Sequence, residues 1–571
     1  MVLRGKGTAQ GFAVGRIYIY NEKFNTPAEK VVPVGKEQAQ LDYYYSIKKE
    51  ALNELDKIKR SLEGVDPLKA EIFDAHKEIV EDIIINEEIP ARILNDHWAG
   101  DWAIYHVYGT VIAVLKKTAD PLIAERAADF DDVRAMLLRL WYGQKTNSLS
   151  ELKEPSIIVA HEIKPSGTAG INNGKVLAIL TEEGGVTSHA AIIAKSFGIP
   201  AVLGIDGLLN YAKQGQYAAV DAMEGAVILD PEEDTIKDYR KRSDDFSRAR
   251  KDAEVFLKKE SRTACGEKID IGLNISSAND SELHAQSYAD SVGLFRTEFL
   301  FLGHSSLPSE EDQFNSYRKV LKSFGKKPVI LRVLDIGGDK QISTIEQKKE
   351  DNSFLGNRGI RFCFSYPDIF ITQLRAAFRA STYGNLWIML PMIGSLDDIK
   401  RAKEIIEETK NKLIKEKFQI GDVKIGIMIE VPSIALIADL AAKEVDFASI
   451  GSNDLCQYVC AADRMNAVVE DYYQSYHPAI FKLIKETVEA FKRAEKPISI
   501  CGEMGGDPLA VSALIGCGLR KFSMGAASIA AVKRAIAGIT VARAEEISQK
   551  MLELSTAEEI ESFLNTSYNT N

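Results

Sequence analysis

The sequence is poor in cysteine. Its 571 residues include only Cys265, Cys363, Cys456, Cys460, Cys501 and Cys517, and no two of these stand in a C-x-x-C spacing. That excludes a disulfide framework and a structural zinc site, and it suits a reducing compartment. Long hydrophobic runs are also missing: none reaches the ~18 residues of a membrane span, and the start MVLRGKGTAQGFAVGR lacks the apolar core of a secretion signal. The expectation is a cytoplasmic protein with no membrane insertion. Positive charge is in deficit, with 71 Lys plus Arg against 82 Asp plus Glu and a net charge of -11. That sign disfavours a nucleic acid partner. Low-complexity bias is absent too, because 40 Gly and 17 Pro beside 45% hydrophobic residues is ordinary globular usage. At ~150 residues per domain, the length predicts three or four folding units.

What is present changes character along the chain. GFAVGRIYIY alternates like a strand, and from 36 to 145 the pattern turns helical. There Tyr44, Ile47, Ala51, Leu55, Ile58 and Leu62 recur at three- and four-residue intervals and line one helix face. Breaks at Gly64 to Pro67, Pro90, Gly100 and Pro121 predict several helices of an antiparallel bundle. From about 154 the runs SIIVA, KVLAIL and AAVDAMEGAVILD alternate with Gly-rich turns, which predicts a compact α/β domain completed by the N-terminal strand. The segment 232–260 is charged on nearly every turn and predicts an exposed linker helix. The expected domains are an α/β domain of 1–35 and 146–231, an inserted helical domain of 36–145, the linker 232–260 and a C-terminal domain of 261–571.

In that last domain KIDIGLNI, SVGLFRTEF, PVILRVLDIGG, LWIMLPMI, VKIGIMIEV, VDFASIGSNDL, PISICGEMGG and KFSMG are each followed by helical spacing. Such a rhythm predicts a (β/α)₈ TIM barrel, with an open doubly wound sheet as the competing fold. Polar residues collect at the ends of these runs: Arg296 and Glu298, Arg332 and Asp335, Glu430, Asn453 and Asp454, Cys501 and Glu503. A barrel's C-terminal rim is where loops assemble a site, whereas its strand interiors exclude unpaired charge. Arg296, Arg332, Arg358 and Arg464 would offer forks to a phosphate and a carboxylate, and Glu430 and Asp454 are hard oxygen ligands suited to Mg²⁺. The loop IGGDK adds Lys340, although a simple tight turn explains it equally well. Cys501, with Glu503 two places on, reads either as a tuned thiol acting as an acid or as an inert core residue. Cys456 and Cys460 read as inert core residues.

Before the linker, EEGGVTSHAAIIAKSFGIPAVLG (182–204) places His189 after a Gly-Gly turn with Thr187 and Ser188 as cap residues, at the start of a short apolar helix. Imidazole is a competent nucleophile near neutral pH, and a helix N-terminus stabilises an attached phosphoryl group. Capping or packing is the plainer alternative.

GGVTSHAAIIAK and VDFASIGSNDLCQYVCAADR (445–464) resemble the two signatures of the phosphoenolpyruvate (PEP)-utilising enzymes, and the layout is similar to that of the family's Enzyme I branch in the bacterial sugar phosphotransferase system. The resemblance implies a phosphotransferase, in which His189 takes the phosphoryl group of PEP and passes it to a histidine-containing phosphocarrier protein (HPr). It also implies a mobile domain around His189 and a homodimer formed through the barrel. Arg296, Arg332 and Arg464 would bind PEP with Asn453 on the phosphate, Glu430 and Asp454 would hold Mg²⁺, and Cys501 would protonate the enolate carbon. AEIFDAHKEIVED, with His76, matches the carrier-docking part. This chain departs from the family pattern at Val186, Lys195, Ser353, Ser452 and Glu78, of which Lys195 keeps a charge and loses the planar fork. A PEP synthase or dikinase would need an ATP-binding domain for which the chain has no room. A non-catalytic regulatory relative would leave the Arg, Glu, Asp, Cys and His set idle.

Overall fold

The computed structural model describes the chain except residues 21–25, 64–66, 118–120, 144–148, 150, 151, 153, 164–173, 185–189, 192–193, 195–196, 279–282, 302–305, 338–344, 346–349 and 570–571. The described residues divide into two compact units, Met1–Ala249 and Arg250–Asn571. Among them no helix is long and apolar enough to cross a membrane.

The first unit is built on an eight-stranded sheet: β1 (Val2–Arg4), β2 (Lys6–Ala9), β3 (Phe12–Ile19), β4 (Ser156–Ala160), β5 (Val176–Thr181), β6 (Ala201–Leu203), β7 (Tyr217–Asp221) and β8 (Ala226–Leu229), in the order β1-β8-β7-β3-β4-β5-β6-β2. The neighbours β3, β4, β5 and β6 run parallel. Side chains alternate across a strand, and β4 sends Ile157 and Val159 into one apolar cluster and Ile158 and Ala160 into another. Both faces are therefore covered, which is why 157–160 is apolar without interruption. Ala190, Ala191 and Ala194 join the second cluster, so the alanine-rich face of the segment after His189 packs on this sheet.

Among the described residues between β3 and β4 lie the helices α1 (Glu37–Glu63), α2 (Pro67–Val80), α3 (Ile83–Asn95), α4 (Gly100–Lys117) and α5 (Pro121–Trp141). Tyr44, Ile47, Ala51 and Leu55 of α1 meet Ile85, Ile89 and Ile93 of α3 in their shared core. The side chains of Ile58 and Leu62 lie outside the described residues. The expected break at Pro90 does not occur, because α3 runs through it. Proline in a helix interior loses one backbone bond, at about 3 kcal/mol. Burial of three isoleucines, worth roughly 1.5–3 kcal/mol each, outweighs that loss.

Helix α6 (Glu233–Leu257) matches the charged linker, and the boundary between the two units falls inside it. It is not simply exposed: Tyr239 and Phe246 pack edge-on against Phe12, with ring centroids 6.4 and 6.1 Å apart.

The second unit is a closed parallel barrel of β9 (Asp270–Ile275), β10 (Ser291–Arg296), β11 (Pro328–Arg332), β12 (Asn385–Leu390), β13 (Lys424–Ile429), β14 (Phe447–Gly451), β15 (Ile498–Cys501) and β16 (Lys521–Met524), with β16 pairing back onto β9. All eight predicted runs are these strands. Leu294, Ile330, Met389, Met428, Phe447 and Cys501 cluster inside the barrel, while Leu331, Ile388, Ile427, Ile450 and Ile500 face the surrounding helices.

Candidate active site

Parallel pairing brings the C-terminal ends of the strands to one rim. Arg296, Arg332 and Cys501 end β10, β11 and β15, and Glu430 follows β13 directly. β14 runs straight into helix α7 (Ser452–Cys460), whose first turn carries Asn453 and Asp454.

Buried Arg332 lies between carboxylates. Its Nη2 donates to Glu298 at 2.7 Å, and its Nη1 is 3.0 Å from Asp335. Burial opposes its charge, and Glu298 and Asp335 more than offset that, holding its pKa above the ordinary range. Arg358 ties Asp335 to Asp454. Its Nε and Nη2 each donate to Asp335 at 3.0 Å, its Nη1 and Nη2 each donate to Asp454 at 3.0 Å, and its Nη1 also reaches the Tyr458 hydroxyl at 3.3 Å. A guanidinium has five N–H donors, and all are used. The expected substrate fork on Arg358 is therefore closed in this arrangement, and the residue acts as a brace.

Arg296 is the opposite case, with no side-chain hydrogen bond or ion pair among the described residues. Burial, together with the neighbouring Arg332 and, more weakly, Arg464, holds its pKa below the ordinary value, against the pull of Glu298. Among the described residues the Arg464 guanidinium reaches only Asp454, at 3.5 Å. Cations left this short of partners suit an anionic ligand.

Glu430 is fully buried. Its Oε1 accepts the Met392 N–H at 2.6 Å, and its Oε2 has no partner among the described residues. Met392 holds φ 56°, rare for a non-glycine residue, to aim that N–H. Burial, then the nearby Asp454 and Asp335, push the Glu430 carboxyl well above the usual carboxylate range. An orphaned carboxylate oxygen near a second carboxylate is a donor set that fits a divalent cation. Mg²⁺ takes one or two carboxylates and completes its shell with water and phosphate oxygens. Among the described residues no cluster of three His, Cys, Asp or Glu ligands occurs, so the pair fits a cation shared with a phosphorylated substrate better than a closed protein cage.

Cys501 lies inside the barrel and its thiol points to the Ile450 carbonyl at 3.4 Å. Burial raises its pKa against the opposing Ser449 hydroxyl and the Arg332 and Arg296 charges. It is a protonated thiol at neutral pH, suited to giving a proton. Glu503 does not tune it. The strand stops at Cys501, Gly502 turns the chain with φ 91°, and Glu503 ends exposed, its backbone N–H on the Asn453 side-chain oxygen at 3.0 Å. A Cβ on Gly502 would come within 2.3 Å of the Ser452 hydroxyl, so glycine is what lets this turn approach α7. The Asn453 side-chain nitrogen has no partner among the described residues.

His189, Thr187, Lys195 and Lys340 lie outside the described residues. His76 is fully buried beside Phe73, with Asp129 at 3.5 Å, and so presents no surface to a partner. The pair Cys456 and Cys460 is not wholly core, because Cys460 is partly exposed. Gly502, Met392 and Tyr458 escaped the sequence reading. Gly502 alone carried a signal, as a glycine directly after an apolar run.

Family models for PEP-utilising enzymes match along the chain: the N-terminal model at 4–126, the mobile domain at 152–225 and the PEP-binding domain at 250–541. The phosphoenolpyruvate-protein phosphotransferase of Priestia megaterium is 38% identical over 568 residues, covering 99% of both chains. That of Bacillus subtilis (strain 168) is 37% identical over 568 residues, again with 99% of each covered. That of Geobacillus stearothermophilus is 38% identical over 573 residues, covering 99% of this chain and 98% of the relative. With a PEP-binding model lying over the barrel whose rim gathers these arginines and carboxylates, and with full-length relatives of one activity, the chain belongs to the PEP-utilising enzymes, among the phosphoenolpyruvate-protein phosphotransferases.

Proposed function

We propose that this phosphoenolpyruvate-protein phosphotransferase works through the barrel rim and His189. Arg296, Arg332 and Arg464 hold the phosphate and carboxylate of PEP, and Asn453 donates its side-chain amide to the phosphate. His189 attacks phosphorus as the bond to the enol oxygen breaks, and the arginines stabilise the charge spread over the transferring group. Cys501 gives its proton to the enolate carbon, which yields pyruvate, and solvent reprotonates the thiolate. Glu430 and Asp454 would hold Mg²⁺, which would neutralise phosphate charge. His189 then passes the phosphoryl group to a histidine of the carrier protein HPr.

That sequence requires His189 to reach the rim and later the carrier. We assign the transfer domain to 1–35 and 146–231, carrier docking to the helical domain of 36–145, the hinge to 232–260, and PEP binding and homodimerisation to 261–571, all in the cytoplasm. Thr187 and Lys195 support the phosphohistidine, and Lys340 supports the substrate. On α3 the adjacent Ile83 and Ile84 are 74% and 69% exposed, and this apolar pair, in place of His76, suits a docking face.

The observation that carries the reading is the guanidinium of Arg296, without a hydrogen bond or ion pair among the described residues, beside Arg332 and Arg464 on a carboxylate-bearing rim. The test is incubation with ³²P-labelled PEP and Mg²⁺ without ATP. An acid-labile, base-stable phosphoprotein is expected in the wild type and none in His189→Ala. Label that needs ATP would favour a dikinase, and no label at all would leave a regulatory relative.

A further inference from the structure

The end of the barrel opposite the arginine-bearing rim holds a cavity of about 360 Å³, within the size range of small-molecule sites. It lies where β9, β10, β11 and β16 begin. Bulky branched side chains ordinarily fill this part of such a barrel. Here three adjacent strands supply small ones: Gly272 of β9 pairs with Ser291 of β10 on one side and with Ser523 of β16 on the other, and Gly293 and Ser499 line the same space. A Cβ on Gly293 would come within 2.2 Å of the Ser523 hydroxyl, so glycine is what that close approach requires. The remaining wall is apolar and ringed, with Ile330, Trp387 and Phe447, the two rings 4.9 Å apart. The Trp387 indole N–H already donates to Asn385 at 2.9 Å, so what this side chain offers a ligand is its apolar body.

The mouth is charged, with Lys268, Lys327 and Lys521 beside Asp270 and Asp290. Both carboxylates are engaged. Asp270 pairs with Lys521 and lies 3.3 Å from Lys268, and Asp290 accepts the Ile271 N–H at 2.9 Å and lies 3.6 Å from Lys268. Lys327 has no carboxylate partner among the described residues. Its ammonium donates to the carbonyls of Gln286 and Ala289 at 2.9 and 2.6 Å, which leaves the third of its N–H donors for a ligand. Three lysines against two aspartates give the mouth a positive excess over an apolar interior. A flat apolar body with one anionic head satisfies both parts.

We propose that this cavity binds a small aromatic carboxylate, its ring against Trp387, Phe447 and Ile330 and its carboxylate on Lys327. The site is separate from the rim, and nothing in it depends on the roles assigned to the rim residues.

The test titrates the full-length protein with 4-fluorophenylacetate and follows the probe by fluorine NMR. Saturable binding to one site is expected, and it is retained in Arg296→Ala. The uncharged 2-(4-fluorophenyl)ethanol binds about tenfold or more weakly, the worth of a charge-assisted hydrogen bond. Ser291→Leu and Ser499→Leu, each placing a side chain in the cavity, lose the probe while keeping a cooperative thermal melt. No saturable binding, or binding that disappears in Arg296→Ala because the carboxylate sits on the rim, overturns the proposal. Equal binding of the alcohol overturns the carboxylate class, and this comparison on the unaltered protein decides that point even where a leucine variant fails to fold. Unchanged binding in a folded leucine variant overturns the location.

Discussion

Arg296 and Arg358 share the rim, yet a substrate meets them differently. Arg358 has no donor left, and its loss would remove two charge-assisted hydrogen bonds from each of the buried carboxylates Asp335 and Asp454, leaving Arg332 against the first and the 3.5 Å contact of Arg464 against the second. Breaking such a pair destabilises by roughly 3–5 kcal/mol, so Arg358→Ala is expected to lower the unfolding midpoint in denaturant as well as activity. Among the described residues Arg296 has no hydrogen-bond or ion-pair partner to strand, and burial already works against its charge. Arg296→Ala is expected to leave stability equal or higher while kcat/KM for PEP falls about 10- to 100-fold, the worth of one or two charge-assisted hydrogen bonds. Steady-state kinetics beside denaturant melts of both variants separates the roles. Sequence marked Arg296 as the close of an apolar run and named Arg358 with it as an anion-binding fork, but donor use on Arg358 depends on Asp454, 96 residues away. Glu503 misled for a local reason. Two residues along a strand share a face, but the strand had already ended.

Elements were legible where burial writes the sequence. Strands of a parallel barrel are covered on both faces, so each becomes an apolar run, and amphipathic helices between them restore the rhythm. A turn's geometry leaves a fainter mark. Gly502 combines φ 91° with a close approach to Ser452, so Gly502→Ala is expected to push the β15 turn off α7, lowering kcat/KM for PEP more than stability. Comparing PEP titration with thermal melts checks this. Another element-scale device has no periodic signature. Gln373, fully buried on the helix Pro367–Ala380, accepts the Leu334 N–H at 2.8 Å and donates to Thr297 and Tyr317 at 3.0 and 3.2 Å, locking the turns after β10 and β11. Gln373→Leu keeps the volume but leaves the Leu334 N–H unpaired, at about 1–3 kcal/mol. A loss of that size in the barrel's denaturant midpoint is expected.

At the scale of the whole molecule, α6 belongs to two bodies. Its first half is held by Phe12 in the first unit. Its end is held in the second by buried Lys533, whose ammonium donates to the carbonyls of Leu257, Lys259 and Tyr288 at 2.9, 3.1 and 2.7 Å. Burial lowers the Lys533 pKa, and the carbonyls use all three of its donors. Each unit also has its own apolar core. A chain of residues 250–571 should therefore fold alone, retaining the rim arginines, Glu430, Asp454 and Cys501 while lacking His189. It is expected to bind PEP with Mg²⁺ by calorimetry and to yield no phosphoprotein from labelled PEP. Residues 1–249 should take label from phosphorylated HPr and none from PEP, because the nucleophile is there and the arginines are not. Label from PEP on either part alone would mean that donor site and acceptor histidine need not come from different units, and the division of labour drawn from the rim would fail.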